Sequence, residues 1–146
     1  MYKNNFAKFL FHEPDTTSGK SIVLLFARLI FGFLFLTHGV AKWEAFADSP
    51  VLFPNPLGLG GVLSFWLVLF AEVFCSIGFM IGSLFRLCLI PMIFTMCIAV
   101  FIIHDGDPLA VKEPALMYLT IFCLLYITGP GKYSIDAILK AMALKN

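Results

Sequence analysis

Charge is what this sequence has least of. Only 13% of its 146 residues are Asp, Glu, Lys or Arg, about half the share that keeps a soluble domain solvated. The net charge is +1. No basic stripe or aromatic–basic interleaving is present, so nothing points to nucleic acid as a partner. Cysteines are few and scattered: Cys75, Cys88, Cys97 and Cys123 stand singly in apolar runs. With no C-x-x-C pair, neither a zinc site nor a dithiol active site is indicated, and they read as small core hydrophobes. A redox role would require two of them to meet in space. An inverted repeat is also missing, so transport by this chain would need a homo-oligomer.

What is abundant is apolar. Hydrophobic residues make up 60% of the chain, with 17 Phe and a mean hydropathy of +0.94. So many aromatic side chains exceed what one small aqueous core can shelter, and the lipid bilayer is the solvent that fits.

Four apolar runs stand out, at about 21–43, 59–82, 84–104 and 114–129. Three reach the ~20 residues that cross ~30 Å of hydrocarbon, and the fourth is shorter, at about 16. A backbone in lipid must satisfy its own hydrogen bonds, so the runs are expected to be helices. The expectation is an all-α, integral membrane four-helix bundle. Between the runs lie a Pro-rich loop (Pro50, Pro54, Pro56), a Gly82-Ser83 hairpin and a polar turn from His104 to Pro108. Pro114 is expected in the first turn of the last helix, where its missing N–H is harmless. The ends, 1–19 and 132–146, are expected to lie on a membrane surface, with Ser134 capping a short C-terminal helix.

Basic residues set the expected orientation. Lys3, Lys8, Lys20, Arg86, Lys132, Lys140 and Lys145 share the side of the two termini; Lys42 and Lys112 hold the other. The positive-inside rule therefore puts both termini in the cytoplasm. Lys3 and Lys8 before an apolar run resemble a signal peptide, but the run is too long and carries Arg28, which favours an uncleaved first helix.

Ionisable groups at membrane depth are functional candidates that need a partner. By helical rise, Glu72 lies roughly 15 Å and Arg28 roughly 10 Å from the same side, so the two are expected to face each other. Two readings stand: a pair that locks helix register, or a Glu72 that carries a proton or holds a ligand. A second cluster gathers toward the outer face: His38 and Lys42, four apart on one helix face, with His104 and Glu113. Histidines with carboxylates shuttle protons or hold a divalent metal. The sequence gives His38, His104 and Glu113 no fixed metal spacing, and interfacial clustering is the plainer reading for Lys42, Asp105 and Asp107.

Taken in order, several motifs resemble the DoxX family of small bacterial membrane proteins. They are Arg28-x-x-x-Gly32, His38-Gly39-x-x-Lys42, Phe53-Pro54-x-Pro56-Leu57-Gly58, Ala71-Glu72, Gly82-x-x-x-Arg86, His104, Lys112-Glu113 and Gly129-Pro130-Gly131-x-Tyr133-Ser134-x-Asp136. They span about 20–140, so one such domain is expected to fill 1–146. The resemblance implies a multi-pass protein of the bacterial cytoplasmic (inner) membrane, associated with quinone-linked redox, sulfur oxidation or resistance to oxidative stress. A quinone is the cofactor it implies, and a membrane or soluble redox protein the partner. The alternative is a non-enzymatic scaffold or transport component.

Overall fold

The computed structural model of the chain describes residues 17–48 and 53–143. Of the surface segment expected at 1–19, residues 1–16 lie outside the described residues, as do positions 49–52 and 144–146, while Ser18 and Gly19 already belong to the first helix. Among the described residues all regular structure is helical. Four helices are long and apolar enough to cross a membrane: α1 (Ser18–Asp48), α2 (Gly61–Ile81), α3 (Phe85–Ile103) and α4 (Leu109–Thr128). A short α5 (Ile135–Ala143) follows.

Two boundaries differ from the apolar runs, each for a local reason. α1 continues past Trp43 because its next turn still has something to pack on. The Phe46 ring stacks on Phe65 with centroids 3.7 Å apart, and Trp43 lies 5.9 Å from Trp66. α4 begins at Leu109 rather than Pro114, since the Pro108 carbonyl accepts the Val111 N–H at 2.9 Å and starts the helix there. The fourth span is therefore 20 residues long, enough to cross. Pro114 lies inside it rather than in its first turn, where it removes one helical hydrogen bond.

α1 and α2 are antiparallel, and two glycines set their register. A Cβ on Gly32 would collide with Met80 and Phe79; one on Gly39 would meet Val73 Cγ2 at 2.7 Å and Glu72 Cβ at 3.0 Å. Spaced seven apart, the two glycines lie on one face of α1 and let the backbones approach. Gly78 does the same between α2 and α3, against Cys88. The thiols of Cys75 and Cys88 come together there, with Cys88 Sγ donating to the Ser83 carbonyl at 3.6 Å, so two of the scattered cysteines do meet.

The hairpin end is tied by the Gly129–Asp136 motif. Gly82 (φ 69°) closes α2, with the Ser83 N–H bonded to the Gly78 carbonyl at 3.0 Å, the usual glycine stop. Leu84 then adopts φ 47°, a region L-residues avoid. The Asp136 carboxylate holds it there by accepting the Leu84 and Phe85 N–H groups, both at 2.9 Å. Arg28 Nη2 donates to the Tyr133 carbonyl at 2.5 Å, and the Ser134 hydroxyl accepts the Ala137 N–H at 3.1 Å, capping α5.

Phe35, Phe79, Phe85, Leu89, Met92 and Phe122 form the centre of the core. Large apolar side chains cover the outer faces of all four long helices, as expected of surfaces that meet lipid rather than water.

Candidate functional site

Away from the hairpin the helices become irregular. In α2 the α-helix Gly61–Leu69 gives way to a π-helical turn, Phe70–Phe74, before resuming at Cys75–Ile81. In α3 a second π turn, Ala99–Ile103, follows the α-helix Phe85–Ile98, which carries Pro91 within it. π turns insert one extra residue into the helical ladder and are frequent at functional sites. Here the first carries Glu72. The Ser76 hydroxyl donates to the Glu72 carbonyl at 2.7 Å, so the widened turn does not leave that carbonyl unsatisfied.

Glu72 is 1% exposed, and Lys42 Nζ lies 2.7 Å from both its carboxylate oxygens. Lys42 comes from α1, one turn beyond Gly39, whose missing side chain lets α1 settle against the Glu72 backbone. A bare carboxylate at this depth costs several kcal/mol. A bidentate ammonium is the compensation the fold provides.

This pairing corrects the expected Arg28–Glu72 contact. Glu72 lies level with Gly39, while Arg28 lies beside Gly82 with its guanidinium 5.9 Å above the Phe85 ring. Eleven residue steps of α1 from Arg28 to Gly39 span about 16 Å, beyond any side-chain reach. Arg28 belongs to the hairpin lock.

The other candidates divide by position. His38 sets its ring edge-on to Tyr118 of α4, with centroids 5.6 Å apart. His104 closes α3, its N–H bonded to the Ala99 carbonyl at 3.0 Å and its Nδ1 2.9 Å from Asp107 Oδ2. Both line the same cavity as Lys42 and Glu72, a space of about 570 Å³ between the four long helices. Glu113 is exposed on α4 and does not line it. Among the described residues no three of His, Cys, Asp and Glu are grouped as a metal would need, so His38, His104 and Glu113 do not converge.

Most of the wall is apolar. Phe35, Phe70, Pro91, Phe94, Met96 and Tyr118 contribute, and the 53–59 loop closes the end nearest Trp43. Asn55 shapes that loop, its side-chain oxygen accepting the Gly60 N–H at 2.9 Å and the Ser64 hydroxyl at 3.3 Å. A large apolar cavity with a few convergent polar groups is the general form of a small-molecule site. Tyr118 and the two π turns were not singled out from the sequence. Tyr118 had a weak signal, being four residues from Pro114 on one face of α4; the π turns had none.

Fold and site together define a multi-pass membrane protein with a polar-floored cavity inside a four-helix bundle. The DoxX family model matches residues 23–105, more than half of the chain, and the protein belongs to the DoxX family. The matched stretch carries α1 to α3 with His38, Lys42, Glu72 and His104; Tyr118 and the Gly129–Asp136 motif lie beyond it. No curated protein and no solved structure matches the chain.

Proposed function

We propose that this protein is a quinone-binding subunit of a redox system in the bacterial cytoplasmic membrane, serving oxidative-stress resistance or sulfur oxidation, with both termini in the cytoplasm. One observation carries the reading: a 570 Å³ apolar cavity whose polar groups, Lys42, Glu72, His38 and Tyr118, are gathered from three helices. A quinone is a flat apolar ring with two carbonyl acceptors. Reduction to the quinol takes up two electrons and two protons, so a quinone site needs donors near the carbonyls and a proton carrier. Lys42 Nζ and Tyr118 Oη supply donors, and Glu72 and His38 are proton carriers of the right chemistry. The electrons would come from a partner protein.

Extraction of the purified protein tests this. Near-stoichiometric ubiquinone or menaquinone is expected from the wild type, and loss of most of it from a folded Glu72→Gln variant. A wild type that retains and binds no quinone would leave the scaffold role as the better account.

A further inference from the structure

The cavity has two ends of different character. Toward the aqueous surface it is covered by Phe53, Pro54, Pro56 and Leu57, backed by the rings of Phe46 and Phe65, with Phe53 5.4 Å from Phe65. That cover is apolar and, through Asn55, hydrogen-bonded to the start of α2. The side between α2 and α3 is different. Close packing of α2 on α3 runs from the hairpin up through Cys75–Ile81 to the π turn; beyond it, Gly61–Leu69 packs on α1 instead. The two helices therefore splay, and the cavity occupies the splay. Leu67 and Phe70 line it from α2, Phe94 and Ile98 from α3. Leu67, Phe70 and Phe94 are also about half exposed on the outer surface, so the same side chains meet the cavity and the lipid.

We propose that the cavity is entered sideways from the bilayer, between α2 and α3, by an amphiphile whose head group docks at Lys42 and Glu72. Its apolar tail lies in the slot between Leu67 and Phe70 on one side and Phe94 and Ile98 on the other. This rests on the quinone reading and deepens it: the ligand is a long-tailed, prenylated quinone rather than a soluble ring compound. The chemistry fits the walls. The slot offers no charge to a tail, and the Lys42–Glu72 pair is neutral as a whole, so a neutral head group enters without leaving a charge unpaired. A tail already dissolved in lipid gains little hydrophobic energy on entering protein; what it gains is packing against the slot, and it arrives at membrane concentration.

The test is equilibrium binding to the full chain in lipid nanodiscs, compared at equal ligand concentration in the membrane. The ligands are a tail-less benzoquinone, the same head group with a prenyl tail, and a single-chain fatty alcohol. The tailed quinone is expected to bind about tenfold tighter than the tail-less one, equivalent to about 1.4 kcal/mol. Leu67→Trp, which fills the slot, is expected to abolish that advantage, bringing the tailed quinone down to the affinity of the tail-less one. Ile98→Trp fills it from the opposite wall and serves if the first variant does not fold. Equal binding of both quinones, or no effect of either filled slot, would overturn lateral entry while leaving quinone binding intact. Binding of the fatty alcohol alone, sensitive to Leu67→Trp, would uphold the slot and remove the quinone. No binding by any of the three would remove both.

Discussion

Lys42 and Glu72 form a bidentate ion pair, with Nζ 2.7 Å from each carboxylate oxygen, one turn beyond the close approach of α1 and α2 at Gly39. The pair fixes the floor of the cavity and joins the two helices whose register Gly32 and Gly39 set. Breaking it from one side leaves a buried charge. Only Glu72 is fully buried, the Lys42 side chain being 36% exposed, so Lys42→Met is expected to destabilise the protein by about 1–3 kcal/mol, and Lys42→Met with Glu72→Gln to recover most of that. Unfolding titrations of the four members of the double-mutant cycle measure it. Additive losses would mean that the pair is not coupled.

Gly39 is the second element of that floor. In Gly39→Ala the new methyl would sit 2.7 Å from Val73 Cγ2 and 3.2 Å from the Glu72 backbone carbon, so α1 or the π turn must move. A loss of about 1–3 kcal/mol is expected, together with weakened ligand binding. Gly19→Ala is the control. Nothing lies within 4 Å of its Cβ position, and alanine there is expected to be neutral or stabilising by up to about 1 kcal/mol. Thermal shift of the two variants in one detergent compares them.

The hairpin lock and the cavity are separate devices. Asp136→Asn weakens the cap that holds Leu84 and Phe85, and is expected to cost about 1–2 kcal/mol while leaving head-group affinity unchanged. Leu84→Gly should return part of the loss, because glycine accepts φ 47° without strain. If Asp136→Asn abolished binding in a folded protein, the two ends of the bundle would be coupled after all.

The contact between Cys75 and Cys88 is testable by oxidation. In a variant with Cys97→Ser and Cys123→Ser, copper–phenanthroline is expected to join the two remaining thiols within one chain, read as the loss of two hydrogens by intact mass. An intermolecular product, or none, would contradict the packing of α2 on α3.

The sequence made the spans legible because lipid demands long apolar runs and internal backbone hydrogen bonding, and both leave marks in composition. It also grouped His38 with Lys42, since i and i+4 share a helix face, and placed His104 at the same end. It did not reveal the partner of Glu72. Depths measured along the apolar runs place Ser21 and Gly82 at one level. In fact Gly82 lies beside Arg28, while Ser21 meets Gly131 and Lys132. α1 thus overshoots the hairpin, and Arg28 falls at the hairpin rather than beside Glu72. Register between helices depends on where small residues admit close approach, and Gly32 and Gly39 look like any other glycines until a partner helix is set against them. The π turns were illegible for a related reason: an extra residue in a uniformly apolar helix disturbs no pattern that composition records.

The most direct measurement is photolabelling of the nanodisc-embedded protein with an azido-substituted prenylquinone, followed by peptide mapping. Label is expected on α2, α3 and α4 at cavity residues such as Phe70, Phe94 and Tyr118, displaced by excess unlabelled quinone and lost in Glu72→Gln. Label spread over lipid-facing positions such as Ile127 and Phe33, undiminished by competitor, would contradict a quinone site in this cavity.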